Sequence, residues 1–302
     1  MLVHRTANTR SNNPIPGLVI VNYGKNQLVE SVAGDIFRCV ARRGLPQIVC
    51  GDEVDWLQTG NNSGVIEAIK PRRTVLYRAN GSNGQRPLVA NIDQLVVEAA
   101  LEPALDYFLI DKYCVAAELA QIEPLIIINK ADLINDKQRA RITLLIDEYR
   151  DIGYSVVLTS ALKETGIETF TACLSGKTSI LVGQSGVGKS SLIKRLLPHR
   201  DIDIGKLSAA SGLGKHTTTS TTLYHLPRGG HLIDSPGVRD FHLARVPDEE
   251  LGNGFREFRP HLGQCRFNNC RHLSEPGCAI NAAVAAGNIL ERRMESYRRL
   301  IM

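Results

Sequence analysis

Short β-rich runs dominate the pattern of apolar positions from Gly17 to about Tyr77. They are GLVIVNY, QLVESVA, DIFRCVA, QIVCGDEVDWLQT, SGVIEAI and TVLY, separated by Gly, Asn, Pro and Asp turn signals. Five or six such strands predict a small barrel. An OB-type barrel, which binds oligonucleotides on one face, and an SH3-like barrel both fit this strand count. Residues 78–87 are rich in Gly and Asn and have no periodicity, which predicts a linker.

Strands and helices alternate from Asn91 onwards. The apolar strands are IDQLVVEAA, PLIIIN, SVVLTS and TSILVG, and helical stretches lie near 104–120, 136–151 and 166–174. Continuous apolar strands joined by helices are typical of a buried parallel sheet. A further helix is predicted to start at Ser190, and TTLYHL and GHLID flank PRGG as the two strands of a hairpin. The chain after about Pro247 is predicted to be mostly helical.

These patterns predict a multidomain protein. We expect a β-barrel domain of the OB type over residues 1–88, with a flexible N-terminus and the linker, an α/β domain over 89–245, and a mostly helical domain over 246–302. The chain has 302 residues, of which 43% are hydrophobic and 22% charged, and this composition excludes the disordered, fibrous and membrane-spanning classes of protein. No apolar run approaches about 18 residues and the first residues lack a signal-peptide pattern, so we expect a cytoplasmic protein without a membrane partner.

The net charge of +5 is distributed unevenly. Residues 1–88 contain 11 lysines and arginines and 6 aspartates and glutamates, whereas the rest of the chain is close to neutral. Such an asymmetry favours an anionic partner for the barrel, commonly nucleic acid, although a solvated basic face gives the same pattern.

GQSGVGKS at 183–190 has the spacing of a phosphate-binding loop and lies between an apolar strand and a predicted helix. Its glycines let the backbone N–H groups and the helix N-terminus surround phosphates, while Lys189 reaches the β- and γ-phosphate oxygens and Ser190 binds Mg²⁺. The predicted contacts of this loop are Gly183, Gln184, Ser185, Gly186, Val187, Gly188, Lys189, Ser190 and Ser191.

NKAD at 129–132 follows the strand PLIII and predicts selectivity for guanine. The two carboxylate oxygens of Asp132 can accept from the N1–H and the exocyclic amine of guanine, and adenine offers no matching pair of donors. With adenine bound, the buried carboxylate would have no hydrogen-bond donors, and this cost disfavours binding of the wrong base. Asn129 and Lys130 are expected to hold the base and brace the loop.

Two shorter motifs agree with a guanine nucleotide. SAL, with Ser160 and Ala161, ends another strand and could offer a backbone N–H to the guanine oxygen. DSPG ends the strand GHLI, where Asp234 could hold Mg²⁺ through a water and the Gly237 amide could sense the γ-phosphate. In an ordinary GTPase the phosphate loop comes first, whereas here the base-reading motifs precede it. A circular permutation explains this order and keeps every contact, because domain termini usually lie close together.

Three of the seven cysteines cluster near the C-terminus, in the pattern Cys265-x4-Cys270-x-His272-x5-Cys278. Three thiolates and one imidazole complete the tetrahedral shell of a structural zinc ion. His261, four residues before Cys265, is an alternative ligand.

A small barrel, a permuted GTPase with these four motifs in this order, and a terminal Cys-Cys-His-Cys element together resemble the RsgA (YjeQ) family of small-subunit ribosome biogenesis GTPases. The resemblance covers about residues 15–300. It implies an OB-fold N-domain, a circularly permuted P-loop GTPase core and a C-terminal zinc domain. It further implies that GTP hydrolysis releases the protein from the small ribosomal subunit, and that the zinc ligands include His272 instead of His261.

The segment GLGKHTTTSTT at 212–222 occupies the position of a mobile switch. Thr218 or Thr219 is the candidate to close on Mg²⁺ and the γ-phosphate. Val238 stands where many GTPases carry a water-orienting glutamine, so the catalytic group must come from elsewhere. His216 is that candidate, since a histidine here is implicated in hydrolysis in families like RsgA, although it could instead contact RNA.

The sequence thus predicts a monomeric GTPase with low intrinsic turnover, with rRNA of the small subunit as partner. We expect RNA contacts from basic residues near the barrel and on the last helix, namely Arg38, Arg42, Arg43, Lys70, Arg72, Arg73, Arg78, Arg292, Arg293, Arg298 and Arg299. Two alternatives remain: a nucleotide-gated binding module that hydrolyses GTP poorly, favoured by Val238, and an ATP-dependent enzyme such as a kinase, in which NKAD is accidental.

Overall fold

The computed structural model describes residues 13–80, 84–199, 220–235 and 247–301. The N-terminal barrel consists of five strands, namely β1 (Ile15–Asn22), β2 (Asn26–Ser31), β3 (Ile36–Ala41), β4 (Glu53–Gly60) and β5 (Ser63–Ile69). They pair in the order β1-β2-β3-β5-β4, and β4 pairs with β1 to close the barrel. All pairs are antiparallel except β3 with β5. The structure therefore confirms the predicted OB-type barrel.

Trp56 fills the centre of this barrel and explains two of its glycines. Its side chain is fully buried among Val19, Val29 and Ile66. A Cβ at Gly17 would lie 2.7 Å from the indole nitrogen, and one at Gly64 would lie 2.5 Å from the ring. Both strands pass so close to the ring that only glycine fits.

A two-stranded hairpin follows the barrel, so the prediction of a linker over 78–87 is wrong. Its strands are β6 (Val75–Asn80) and β7 (Gly84–Ala90), and Arg78 lies opposite Arg86 in the ladder. Arg78 and Arg86 are exposed. Residues 77–80 and 84–86 include few apolar side chains, and the period-2 signal that marks a half-buried strand is therefore missing.

The α/β region contains the predicted parallel sheet. Strands β8 (Gln94–Ala100), β9 (Glu123–Asn129), β10 (Ser155–Leu158), β11 (Thr178–Gly183) and β13 (His231–Asp234) lie in the order β10-β9-β8-β11-β13. Strand β12 (Thr222–His225) pairs antiparallel with β13, as the predicted hairpin requires. Helices α1 (Tyr107–Leu119), α2 (Asp136–Asp151), α3 (Ile167–Leu174) and α4 (Lys189–Leu196) accompany the sheet, and two apolar clusters form its core.

The barrel and the parallel sheet are continuous. Val21 of β1 pairs with Thr222 of β12, which joins both into one eleven-stranded sheet. Beside this junction, His225 Nε2 lies 2.8 Å from the carboxylate of Glu30 on β2. The barrel is therefore attached to the hairpin that leads into the DSPG motif.

The C-terminal region is mostly helical, as predicted. Helices α5 (Asp248–Leu251), α6 (Ala279–Ala285) and α7 (Glu291–Ile301) and a 3₁₀ helix at Arg256–His261 pack around buried aromatic side chains. Phe255, Phe258 and Tyr297 form a mutual ring cluster, and Val115 of α1 belongs to the same core. Across the described part of the chain, no helix has the length and apolar character to cross a membrane.

Two arginines of α7 have a structural role, and the complete burial of Arg293 makes its assignment to RNA contacts wrong. Arg293 is fully buried, and its guanidinium lies 2.6 Å from both Asp111 of α1 and Glu257. Arg292 pairs with Glu148 at 2.8 Å and also contacts Asp111. These ion pairs tie α7 to the α/β region, and the Arg293 guanidinium is not accessible to a phosphate, whereas the Arg292 side chain remains 23% exposed.

Several basic residues near the barrel are also paired. Arg72 forms a bidentate pair with the buried Asp52 at 2.7 and 2.8 Å, which fixes the connection between β5 and the hairpin. Arg73 pairs with Asp93 at 2.6 Å. In contrast, the exposed Arg38, Arg43 and Arg78 have no carboxylate partner among the described residues, which keeps them as candidates for phosphate contacts.

Candidate nucleotide-binding site and metal centre

The phosphate-loop motif connects β11 to α4 and depends on glycines with unusual backbone angles. Gly183 has φ 147°, and a Cβ there would lie 2.1 Å from the carbonyl oxygen of Glu98. Gly188 has φ 120°, and its Cβ would lie 2.3 Å from Asn129 Nδ2. Any larger residue would push the loop away from the sheet. Lys189 Nζ donates to the carbonyl oxygens of Gly183 and Gln184 at 2.7 and 2.6 Å, which holds the ammonium group across the loop.

Asn129 connects the base-reading motifs to the phosphate loop. This side chain is 2% exposed. Its Nδ2 donates to Val187 O at 3.2 Å and to Glu98 Oε1 at 3.0 Å. Its Oδ1 accepts from Thr159 Oγ1 at 3.2 Å and lies 3.4 Å from the Ala161 amide. One amide therefore fixes the relative positions of the NKAD, SAL and GQSGVGKS segments.

Asp132 lies beside Ser160, whose hydroxyl donates to Asp132 Oδ1. The same Ser160 oxygen accepts from the Lys163 amide at 3.0 Å. Lys130 adopts the left-handed conformation with φ 60°, and its Nζ donates to Glu102 O at 2.7 Å. The turn after β9 thus aims the Asp132 carboxylate into open space beside the SAL loop.

That space is a cavity of about 710 Å³. It extends from the base-reading motifs to the phosphate-loop helix and is lined by Asn129, Lys130, Asp132, Leu133, Ala161, Leu162, Gly188, Ser191, Lys194, Arg195 and Pro198. The exposed side chains of Leu133 and Leu162 offer apolar surface for a planar ring. A volume in this range suits a small-molecule ligand such as a nucleoside.

The predicted magnesium ligands follow two neighbouring strands, Ser190 in the helix after β11 and Asp234 at the end of β13. Ser190 is exposed in the first turn of α4, and Asp234 ends β13, which pairs with β11. A hydroxyl and a carboxylate are hard oxygen donors of the kind that Mg²⁺ prefers. The remaining predicted contacts, His216, Thr218, Thr219 and Gly237, lie outside the described residues.

Sequence reasoning missed two residues that shape this site. Glu98 is 1% exposed, and burial raises the pKa of its carboxyl to about 7 against the opposing effects of Asn129, Lys189 and Lys130. It is the only charged residue in the strand QLVVEAA, which is the signal that could have identified it. Arg195 of α4 donates from Nε to Ala161 O at 3.0 Å, and no local motif marks this contact.

The C-terminal region brings Cys265, Cys270, His272 and Cys278 together. One ligand atom from each residue lies within 4.8 Å of the others, and His261 is not part of this group. Cys265 Sγ and Cys278 Sγ are 4.0 Å apart, and they lie 3.4 and 3.5 Å from His272 Nδ1. A zinc tetrahedron with ordinary bond lengths has S–S edges of about 3.8 Å and S–N edges of about 3.5 Å. The spacing therefore fits a zinc ion.

Backbone amides support the sulfur atoms of this cluster. The Ala279 amide lies 3.4 Å from Cys265 Sγ, and the Asn281 amide lies 3.4 Å from Cys278 Sγ at the start of α6. Such N–H groups stabilise thiolates, the form that binds a metal. The donor set has no open position for a substrate, as expected of a structural site.

Comparisons with known proteins agree with this architecture. A family model described as RsgA GTPase matches residues 69–244. A protein from Hahella chejuensis named small ribosomal subunit biogenesis GTPase RsgA is 48% identical over 288 residues, which cover 94% of this chain and 83% of the relative. A protein of the same name from Haemophilus influenzae is 47% identical over 290 residues, covering 94% and 84%.

Two solved structures share the fold. The crystal structure of YjeQ from Thermotoga maritima has a TM-score of 0.77 and 31% sequence identity, with coverage of 95% of this chain and 97% of the other. The structure of YloQ, titled a circularly permuted GTPase, has a TM-score of 0.76 and 27% identity, with coverage of 100% and 96%. The family model matches more than half of the chain, and the named relatives are 47–48% identical over 94% of it, so the chain belongs to the RsgA GTPase family.

Proposed function

We propose that this protein hydrolyses GTP and uses the hydrolysis cycle to act as a late biogenesis factor of the small ribosomal subunit. The observation that carries the proposal is the Asn129 side chain, which joins the base-reading loops to the phosphate loop around one cavity. The names of the relatives from Hahella chejuensis and Haemophilus influenzae support the ribosomal role.

The proposed binding mode follows from the geometry of the cavity. The Asp132 carboxylate accepts hydrogen bonds from the N1–H and the exocyclic amine of guanine, and the Ala161 amide donates one to the carbonyl oxygen of guanine. Phosphates lie against the backbone amides of residues 183–188 and the N-terminus of α4, where the helix dipole favours negative charge. Lys189 moves from its carbonyl partners to the phosphate oxygens. Ser190 directly, and Asp234 through a water, would hold Mg²⁺, and the ion would supply positive charge beside the phosphates.

The catalytic assignment rests on the sequence of the switch segment. Val238 has no group to orient water, so we assign that function to His216 and the Mg²⁺ contact to Thr218 or Thr219. Ordering of this segment by the small subunit would raise the rate of hydrolysis, and its release afterwards would lower affinity for the subunit.

We assign rRNA binding to the barrel and the hairpin that follows it, with Arg38 and Arg43 of the barrel and Arg78 of the hairpin as phosphate contacts. Contacts of this kind make binding salt-dependent. We further propose that the protein acts in the cytoplasm, since its proposed partner is a ribosomal subunit. We also propose that it is a monomer.

A phosphate-release assay with ribosomal subunits tests the proposed function. We expect slow multiple-turnover hydrolysis of GTP by the protein alone and at least about tenfold stimulation by small, not large, subunits. His216→Ala should lose most of the stimulated rate, about a hundredfold for a water-orienting group, and still bind GDP. His199→Ala, which replaces an exposed histidine beyond α4, is the matched control.

Three outcomes would contradict parts of this proposal. Normal stimulated turnover of His216→Ala would refute the catalytic assignment. If the protein sedimented with small subunits in a nucleotide-dependent way but showed no stimulated phosphate release, it would instead be a binding module that acts through its presence on the subunit. Hydrolysis of ATP in preference to GTP would favour the ATP-dependent alternative.

We also propose that the Cys265, Cys270, His272 and Cys278 group holds one structural zinc ion. Metal analysis of the purified protein should give about one zinc per chain, and Co²⁺ substitution should give the absorption bands of a tetrahedral thiolate site. Cys270→Ser should lose most of the metal and destabilise the C-terminal region. Cys173→Ser, in α3, should keep the full stoichiometry, and an unchanged zinc content in Cys270→Ser would exclude this ligand set.

A further inference from the structure

Glu98 is a buried acidic residue for which the nucleotide contacts described above provide no role. It lies near the carboxyl end of β8, a strand in which every residue is buried. Its Oε1 accepts from Asn129 Nδ2 at 3.0 Å, whereas its Oε2 has no hydrogen-bond partner among the described residues. Burial of a half-satisfied carboxyl group is costly, so packing alone does not account for it.

The position of Glu98 connects the two halves of the nucleotide site. Its Oε1 lies 3.2 Å from the place where a Cβ of Gly188 would be, and its backbone carbonyl lies under Gly183. The Asn129 amide nitrogen that donates to Glu98 also donates to Val187 O. Glu98, Asn129 and the phosphate loop therefore form one continuous chain of contacts from the sheet to the phosphate-binding backbone.

Charged groups from several neighbouring elements face this carboxyl group. Lys189 at the start of α4 and Lys130 after β9 favour its ionised form. Asp106, at the N-terminus of α1, lines the same small cavity of about 10 Å³ as Glu98. Burial outweighs the effect of the two lysines and raises the pKa of Glu98 to about 7. Its protonation therefore changes near neutral pH.

We propose that Glu98 is a positioning residue of the guanine-nucleotide site, which holds Asn129 against the phosphate loop and takes up a proton from solvent when nucleotide binds. The proposal rests on the proposed function. Bound phosphates bring negative charge to the loop above Glu98 and take Lys189 as their partner, and both changes disfavour the carboxylate. Protonation of Oε2 removes the repulsion and leaves Oε1 as acceptor for Asn129.

Calorimetric titration with GDP and Mg²⁺ between pH 6.5 and pH 8.5 tests this inference. Buffers of different ionisation enthalpy report the number of protons taken up. If GDP binding raises the pKa of Glu98, the affinity for GDP is greatest at low pH. It falls as the pH rises through the pKa that Glu98 has in the nucleotide-free protein. For one proton the fall is up to about tenfold per pH unit above pH 7.

Two variants separate the charge from the hydrogen bond. Glu98→Gln keeps an oxygen acceptor for Asn129 without a titrating group, so we expect GDP affinity similar to that of the wild type at pH 6.5 and without this pH dependence. Glu98→Leu fills a similar volume without an acceptor and should bind GDP more weakly at every pH, with a normal circular dichroism spectrum as the folding control.

The difference between wild type and Glu98→Gln is decisive, because it cancels the titration of GDP itself. Equal pH dependence and equal proton uptake in these two proteins would overturn the inference even if Glu98→Leu did not fold. If the wild type bound no GDP at any pH, the proposed function would fail and the inference with it. Normal GDP binding that lacks the difference would overturn the inference alone.

Discussion

Asp132→Asn should lower the affinity for GDP at least about a hundredfold and should bind xanthosine diphosphate more tightly than GDP. The carboxylate accepts two hydrogen bonds from guanine, each worth about 1.5–3 kcal/mol when one partner is charged. Asparagine keeps one oxygen but replaces the other with an NH₂ group, which clashes with the exocyclic amine of guanine. Xanthine has a carbonyl oxygen at that place and accepts from the new donor. A loss of about 3 kcal/mol corresponds to about a hundredfold in affinity.

The local structure favours a clean result for this substitution. Oδ1 of an asparagine can still accept from the Ser160 hydroxyl, so the SAL loop keeps its position. Competition by GDP, xanthosine diphosphate and ADP against a fluorescent guanine nucleotide measures the preference. Asp136→Asn, a fully exposed charge change at the start of α2, serves as the control. An unchanged preference for GDP in Asp132→Asn would place the base elsewhere in the cavity.

The residues around the cavity could be predicted because each motif ends a strand of the parallel sheet. Carboxyl ends of parallel strands meet at one edge, so 129–132, 160–161 and 183–190 come together in any doubly wound arrangement. The bounds of α2 agree with the predicted 136–151 because a capping box marks its start: Asn135 Oδ1 accepts from the Gln138 amide, and Gln138 Oε1 accepts from the Asn135 amide.

Contacts between distant segments could not be predicted in this way. Arg72 resembles any basic residue near a barrel strand until Asp52 is placed beside it by the fold. Glu98 acquires its partner Asn129 only when β8 and β9 pair. The number of arginines in a helix therefore does not show whether they bind an external anion or a carboxylate of the same chain, because both uses require the same side chains.

The buried ion pairs of α7 predict a large loss of stability when one of them is broken. Arg293→Met should lower the free energy of unfolding of the C-terminal region by about 3–5 kcal/mol, because it leaves buried carboxylates without their main cation. The Asp111 side chain is fully buried and that of Glu257 is 9% exposed. Asp111 keeps Tyr149 and Ser296 as donors at 2.6 Å, and Arg292 is its remaining cation at 3.3 Å. Urea titration followed by limited proteolysis measures the effect.

The matched control lies on the same helix. Arg298 pairs with Glu291 at 2.8 Å, but the two side chains are 39% and 67% exposed. Such a pair contributes at most about 1 kcal/mol, so Arg298→Met should unfold close to the wild type. If Arg293→Met were equally stable, the packing of Phe255, Phe258 and Tyr297 would hold α7 without help from the charges. If instead it exposes protease sites after residue 247 while GDP binding persists, the Asp111–Arg293 pair contributes to the attachment of the C-terminal region to the α/β region, beside the pairs that Arg256 and Arg259 form with Glu118.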